Sequence, residues 1–120
     1  MVTKNSDSTR YFSSRHEQSI AKALGAHTQP NSGATRFEKG DLVHDGASML
    51  IEAKCCMSPK QSVSIRKSWI DKNKEEAFAM RKSNSVICIN FEPNGDNFYL
   101  IDERLMKYLI LKLTEENKNE

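Results

Sequence analysis

The chain has 120 residues, of which 38% are apolar and 28% are charged, and its formal net charge is +2 at pH 7. A chain of this length and balance forms one domain, 1–120, with a single core of ordinary size. No apolar run approaches the roughly 18 residues that span a bilayer, and the polar N-terminus lacks a signal-peptide pattern, so neither a membrane anchor nor secretion is expected.

The cysteines and the distribution of charge narrow the class of protein further. Cys55, Cys56 and Cys88 include an adjacent pair and no spaced pairs, which argues against a disulfide framework and against zinc. The pattern is typical of a reduced, cytosolic chain. Basic side chains concentrate between positions 60 and 82, whereas the C-terminal tail is acidic. The basic middle indicates either an anionic partner or a solvated helix face.

The first predicted helix follows a loose N-terminal arm over 1–12. Ser14-Arg15-His16-Glu17 has the spacing of a capping box and predicts that the helix begins at Ser14. Glu17 then has two interpretations, because it can cap its own helix or add a carboxylate to a metal site. Residues 27–39 form a predicted loop, in which Ser32-Gly33 is either an ordinary turn or a phosphate contact through hydroxyl and backbone N–H.

The centre of the sequence is a predicted hairpin. Asp41–His44 and Met49–Lys54 read as strands on either side of the turn signal Asp45-Gly46. Two registers are open: one pairs Asp41 with Glu52, and the other makes these residues diagonal neighbours. Because side chains alternate along a strand, both registers put Asp41, Glu52 and Lys54 on one face, within roughly 5–8 Å of each other at Cβ.

The three charged residues on this face require an explanation, because the rest of the hairpin is apolar enough to be buried on both sides. Buried charges are paired or bind metal. Asp41 and Glu52 offer hard oxygens that suit Mg²⁺, and the backbone carbonyl of Ala53 can add another. Lys54 is then placed to help a water lose its proton or to stabilise charge on a phosphate. A purely structural ion cluster in a half-exposed hairpin is the alternative.

The second half of the sequence predicts a helix and two strands. Apolar residues recur at helical spacing from Ser64 to Lys82, with Trp69 expected in the core. A buried strand is expected over Val86–Phe91, and a returning strand over Phe98–Ile101 after a turn rich in Pro, Asn and Gly.

The last predicted element is a helix that begins after an N-cap at Asp102. Its apolar face is broader than one sheet contact needs, which indicates a contact with a partner subunit, and 114–120 are expected to fray. The order of elements predicts an α/β fold, in which a central mixed β-sheet is flanked by helices.

These residues resemble the PD-(D/E)xK nuclease superfamily, whose signature is an acid near the start of one strand and (D/E)-x-K on the next. Here Asp41 stands in G-D-L-V and Glu52-Ala53-Lys54 in L-I-E-A-K-C, with Gly40 where the superfamily label has proline. Within the superfamily the chain is most similar to the Holliday junction resolvases of archaea and phages. That similarity lies in Ser14-Arg15-His16-Glu17 and in the loop Ser32-Gly33-Ala34.

The resemblance implies a restriction-endonuclease-like core and Mg²⁺-dependent hydrolysis of DNA phosphodiesters, with Mn²⁺ as a substitute. Asp41 and Glu52 would be metal ligands, with the Ala53 carbonyl beside them, and Glu17 would assist directly or through water. Lys54 would be the catalytic lysine. Arg15, Ser32 and Gly33 would contact the DNA backbone. Charge alone adds four further DNA-binding candidates, namely Arg36, Lys60, Arg66 and Lys67.

The implied protein is a homodimer that cuts two strands symmetrically across a four-way DNA junction. It would act in the cytoplasm of a prokaryote or a phage-infected cell, with no membrane partner and no small-molecule cofactor. Three alternatives stay open: a nuclease of the same superfamily for flaps, nicks or plain duplex, a non-catalytic DNA-binding module of the same fold, and an unrelated α/β domain with a chance charge cluster.

Overall fold

A computed structural model describes residues 4–29 and 41–119, and the side chains of 9–29 and 42–119. Along these residues the elements are α1 (Lys4–Leu24), β1 (His27–Thr28), β2 (Asp41–His44), β3 (Met49–Lys54), α2 (Lys67–Ala79), β4 (Asn84–Ile89), β5 (Phe98–Leu100) and α3 (Glu103–Lys118). Within this part of the chain, no helix is both long and apolar enough to cross a membrane.

The five strands form one mixed sheet in the order β1-β2-β3-β4-β5. Neighbouring strands are antiparallel except β3 and β4, which run parallel. Parallel neighbours need a long crossover connection, and α2 lies within it. The predicted α/β fold, with a central mixed sheet flanked by helices, is confirmed.

The hairpin of β2 and β3 has the predicted strand limits. Its register is the first of the two alternatives, because Asp41 is opposite Glu52. The connection is closed by the backbone N–H of Ser48, which donates to the carbonyl of Asp45 at 3.0 Å. Ser48 has a φ of 52°, in the left-handed region, where it is held by a bond from the Ser83 N–H to its hydroxyl at 2.8 Å.

Apolar side chains form separate clusters on the two faces of the sheet. On the α1 face the buried members are Ile20, Ala26, Leu42, Ile51, Val86, Cys88 and Leu105. On the α2 face they are Val43, Leu50 and Ala77. Because side chains alternate along β3, Glu52 and Lys54 share the α2 face with Leu50, whereas Ala53 packs against the α1-face cluster.

The prediction for the N-terminus is wrong, because α1 begins at Lys4 and Ser14 lies inside it. Contacts one turn apart support the added turns, such as the Arg15 guanidinium 5.4 Å from the centre of the Tyr11 ring. The hydroxyl of Ser14 accepts from the Gln18 amide at 3.2 Å. Ser14 is therefore no N-cap, and the capping interpretation of Glu17 is removed.

Two other elements are offset from their predicted limits. α2 begins at Lys67 and ends at Ala79, within the predicted 64–82. Arg81 has a φ of 61°, which cannot continue a right-handed helix. β4 is shifted toward the N-terminus and ends at Ile89. The side chain of the next residue, Asn90, accepts from the backbone N–H of Cys56 at 2.8 Å.

The start of α3 is as predicted. The carboxylate of Asp102 accepts from the backbone N–H of Leu105 at 2.9 Å, and it lies 2.9 Å from Lys74 Nζ. The helix continues to Lys118 and so includes most of the segment 114–120, whose fraying stays a prediction. The hydroxyl of Thr114 bonds to the Ile110 carbonyl at 2.8 Å, which is compatible with a helical backbone.

Asp102→Ala is expected to lower the free energy of unfolding by about 1 kcal/mol, because it removes an N-cap. Asp102→Asn keeps an oxygen that caps the helix and is expected to lose much less, since the exposed pair with Lys74 contributes little. Urea unfolding followed by circular dichroism measures both losses. Equal losses in the two variants would show that capping is not what Asp102 contributes.

The same cap predicts a pH dependence. The hydrogen bond from the Leu105 N–H, with Lys74 beside it, lowers the pKa of Asp102. A carboxyl with a lowered folded-state pKa stabilises the fold above its unfolded pKa, and this contribution is lost as the pH falls through the folded pKa. The difference in stability between the unmodified chain and Asp102→Ala should therefore shrink in acid.

Candidate functional site

A half-buried ion pair lies at the C-terminal end of β3. Lys54 Nζ is 3.4 Å from Glu52 Oε2, and the exposed fractions of the two side chains are 32% and 12%. A carboxylate this deeply buried would be costly without a partner, so the lysine compensates its charge. Enough of Lys54 reaches solvent for its ammonium group to meet a ligand from outside.

Asp41 occupies the position across the ladder from this pair. It is the Cα partner of Glu52, and directly opposite residues of antiparallel strands have Cβ atoms about 5 Å apart on the same face. The backbone therefore brings the positions of Asp41, Glu52 and Lys54 together on one face, as the sequence predicted. The side chain of Asp41 lies outside the described part of the structure.

Trp69, in the first turn of α2, is a member of this site that the sequence did not indicate. Lys54 Nζ lies 4.5 Å from the centre of its ring, within the range of a cation–π contact. The indole is half-buried rather than enclosed in the core, where it had been expected. Lys54 is thus held between a carboxylate and an aromatic face. The contact depends on where α2 begins and how it crosses the sheet, which local spacing does not reveal.

The surroundings of the pair are basic. The C-terminal ends of the parallel strands β3 and β4 meet at one edge of the sheet, which is where open α/β sheets bind ligands. Lys60 is tied to this edge by a bond from its backbone N–H to the Phe91 carbonyl at 2.8 Å. Arg66 and Lys67 stand exposed at the start of α2, beside Trp69. Three of the predicted DNA-binding residues therefore come from segments next to Lys54.

Lys67 has an ion partner on its own helix. Its Nζ lies 2.8 Å from Asp71 Oδ2, and the side chains are 84% and 53% exposed. An exposed pair of this kind is worth little, so it does not prevent Lys67 from meeting an anion.

The other predicted site residues lie on α1 or outside the described residues. Glu17 is half-buried on α1, which covers the opposite face of the sheet from Glu52 and Lys54, so the structure does not gather these three on one face. Arg15 donates to the side chain of Asn94 at 2.9 Å, in the connection between β4 and β5. Ser32, Gly33 and Arg36 lie outside the described residues.

A metal ion at this site depends on Asp41. Among the side chains of 9–29 and 42–119, no three His, Cys, Asp or Glu side chains form a group that could hold a metal ion. Glu52 is the described carboxylate on the face of Lys54, and Ala53 next to it supplies a backbone carbonyl. Two carboxylates, a carbonyl and waters are oxygen donors that fit Mg²⁺.

A second polar cluster lies between α1 and the other face of the sheet. His16 Nε2 is 3.0 Å from the Asn97 side-chain oxygen and 3.6 Å from Cys88 Sγ. Burial lowers the pKa of His16, and it raises the pKa of Cys88 to about 11 and that of Tyr99 to about 12. All three groups are therefore neutral at pH 7. Despite its Cys–His pair the cluster has no thiolate, which makes it structural rather than nucleophilic.

Comparisons of the chain with protein-family models, curated proteins and solved structures give no match. The feature that carries most chemistry is the half-buried Glu52–Lys54 pair with Asp41 opposite it.

Lys54→Met and Trp69→Leu are expected to be coupled in a double-mutant cycle. The coupling free energy should be about 0.5–1 kcal/mol, because either change removes the same cation–π contact. Chemical unfolding followed by circular dichroism gives the four stabilities. Lys67→Met is the matched control, since Lys67 lies on the same helix as Trp69 and pairs with Asp71 instead. Additive effects of Lys54→Met and Trp69→Leu would contradict the contact.

Proposed function

We propose that the chain is a metal-dependent endodeoxyribonuclease of the PD-(D/E)xK type, with a restriction-endonuclease-like core, that resolves four-way DNA junctions. The observation that carries the proposal is the register that sets Asp41 opposite Glu52, with Lys54 Nζ 3.4 Å from Glu52. An acid on one strand and an E-x-K on the next, on one face at the end of a hairpin, is an arrangement suited to hydrolysis of a phosphodiester.

Asp41, Glu52 and the Ala53 carbonyl would hold Mg²⁺, or Mn²⁺ in its place. When bound, such an ion lowers the pKa of a water and polarises the phosphate. The protein's part would be to hold two carboxylates close together, where they would repel each other until a cation binds. Glu17, on α1, would assist the metal site directly or through water.

Lys54 is the catalytic lysine in this proposal. Its ammonium is held between Glu52 and the Trp69 ring, so little rotational freedom is left to lose when a phosphate arrives. A hydrogen bond from Lys54 to a phosphate oxygen stabilises the negative charge that develops in the transition state. Competition for Lys54 between Glu52 and the phosphate would be relieved once a cation neutralises the carboxylate.

DNA binding would use the basic edge formed by Lys60, Arg66 and Lys67, with Arg15 on the α1 side. Ser32, Gly33 and Arg36, which lie outside the described residues, would add contacts from the loop predicted over 27–39. Lys and Arg contacts to phosphates give affinity without base reading, so the branch shape of the substrate decides selectivity. A homodimer places two such sites on one junction, whose twofold symmetry matches its own.

Asp41→Asn and Glu52→Gln are each expected to lower the cleavage rate by at least about a hundredfold, because each removes a negative oxygen that the metal needs. Both variants should still bind a four-way junction, since neither changes the basic edge. Cleavage is measured with end-labelled junctions in Mg²⁺, and binding by gel shift in Ca²⁺. Glu115→Gln, which changes an exposed carboxylate on α3, is the control and should cleave normally.

The same assay separates the alternatives. Cleavage of junctions at symmetric positions, with linear duplex left intact, supports junction resolution. Efficient cutting of flaps or plain duplex would assign the chain to another nuclease activity. Junction binding without cleavage by the unmodified chain would assign it to a DNA-binding module. Unchanged cleavage in Asp41→Asn or Glu52→Gln would exclude that residue from the chemistry.

Metal binding is expected to raise thermal stability. At a concentration of Mn²⁺ about 100 times the dissociation constant, the folded state gains about 2.7 kcal/mol, because the ion binds only the folded site. The shift in melting temperature should disappear in Glu52→Gln and persist in Glu115→Gln. A shift of equal size in both variants would place the ion elsewhere, whatever the activity of the preparation.

A further inference from the structure

A cavity of about 120 Å³ lies between α2 and the strands β4 and β5. Its apolar wall includes Ile70 on α2, Ile87 on β4 and Leu100 on β5. Ile87 and Leu100 are partners in the ladder, so their side chains lie on one face of the sheet, the face that α2 covers. Leu100, on the edge strand, is 40% exposed, and the cavity can therefore be reached from solvent beside β5.

The cavity is next to the candidate functional site but separate from it. Ile87 is the ladder partner of Glu52, and Ile70 follows Trp69 on α2. Among the described residues that line the cavity, none is Glu52, Lys54 or Trp69. A ligand in the cavity would thus occupy a second position on the same face of the sheet.

Asn73 is a buried polar residue in the wall of this cavity. It is 2% exposed, and its amide nitrogen donates to the backbone carbonyl of Val86 at 3.2 Å. Because a carbonyl only accepts, the nitrogen and oxygen of this amide cannot exchange places.

The amide oxygen of Asn73 is buried and accepts no hydrogen bond from the described part of the chain. Most buried polar groups have a partner, and a buried acceptor that lacks one carries an unrecovered desolvation cost. A ligand that brings an N–H group to this oxygen recovers that cost. The cavity therefore selects for a hydrogen-bond donor.

The charges that line the cavity cancel each other. Lys74 Nζ lies 2.9 Å from Asp102 Oδ2, and these two are the charged residues among the described ones in the wall. Ser85 adds a neutral hydroxyl-bearing side chain on β4. A charged ligand would lose its hydration without finding an unpaired opposite charge, so a neutral ligand is favoured.

We propose that this cavity binds a small neutral N–H heterocycle, whose N–H group donates to the side-chain oxygen of Asn73. An apolar cavity of about 150 Å³ holds benzene, with its six ring atoms, so a slightly smaller one suits a five-membered ring. Water is the poorer occupant, because a buried water needs several polar partners and Ile70, Ile87 and Leu100 offer none.

The inference goes beyond the proposed function and does not depend on it. Its test uses the full chain without DNA or metal, so neither proposal stands or falls with the other. Pyrrole and furan are the probes, because they are five-membered rings of nearly the same shape and only pyrrole has an N–H group.

Pyrrole is expected to bind with a dissociation constant of about 1 mM, and furan at least about fivefold more weakly, because furan leaves the Asn73 oxygen without a donor. NMR titration of the chain with labelled Ile and Leu methyl groups measures both constants. The largest shifts should be those of Ile70, Ile87 and Leu100. No saturable shift of these methyl groups in about 20 mM pyrrole would overturn the proposal, and so would equal binding of furan.

Two variants separate the acceptor from the space. Asn73→Leu keeps the size of the side chain and removes the acceptor, so pyrrole and furan should bind it equally. Ser85→Leu fills the cavity from β4 and should weaken both probes at least about tenfold. Ser68→Leu is the matched control, because it makes the same change at an exposed position of α2 outside the cavity, and it should leave both constants unchanged.

Circular dichroism checks that each variant is folded. A preference for pyrrole that survives in Asn73→Leu would show that Asn73 is not the acceptor. Binding that Ser85→Leu leaves as tight as Ser68→Leu does would place the probes outside this cavity. Either result contradicts the proposed site.

Discussion

The pairing of Glu52 with Lys54 is the constraint on which the rest of this molecule depends. The hairpin that carries it is covered by α1 on one face and α2 on the other, and Leu42, Leu50 and Ile51 are completely buried. A charged side chain buried in such a hairpin carries a desolvation penalty of several kcal/mol, which an ion partner offsets. The pair lies where β3 leaves the core, so Glu52 stays mostly buried while Lys54 reaches the surface. The fold thus retains an ion pair at a point that a ligand can approach.

The direction of the strands explains why basic residues gather at the same place. β3 and β4 run parallel, so the chain leaves both strands at the same edge of the sheet. The segment that connects β3 to α2 crosses this edge. The crossing segment is held by the bonds of Cys56 to Asn90 and of Lys60 to Phe91. These bonds set Lys60 and the start of α2 next to Lys54. The parallel arrangement of β3 and β4 therefore places both the Glu52–Lys54 pair and the basic residues beside it.

The sequence predicted the strand limits of the hairpin and its shared face, though not its register, because the information there is local. The Asp45-Gly46 turn and the alternation of apolar residues define the strand ends, and with them the face shared by Glu52 and Lys54. It failed at α1, where a capping-box spacing at Ser14 was overridden by helical contacts with residues further toward the N-terminus. A local pattern shows that a cap is possible, and neighbouring turns decide whether the helix stops there.

The features that the sequence did not predict all depend on how elements far apart in the chain pack against each other. Spacing places Glu17 on a helix but does not say which face of the sheet that helix covers. The contact between Trp69 and Lys54 needs the start of α2 and its crossing angle together. The same holds for the His16–Cys88 contact, whose partners are 72 positions apart. These are tertiary contacts, and the periodicity of a sequence does not predict them.

The chain has a single tryptophan, and its ring lies against the ammonium of Lys54. Indole emission responds to a nearby charge and to the polarity around the ring. The protein thus carries its own fluorescent reporter at the one position where an arriving anion or cation would disturb Lys54. Binding of an ion beside Lys54 can be followed by the fluorescence of Trp69, without a label and without a catalysed reaction.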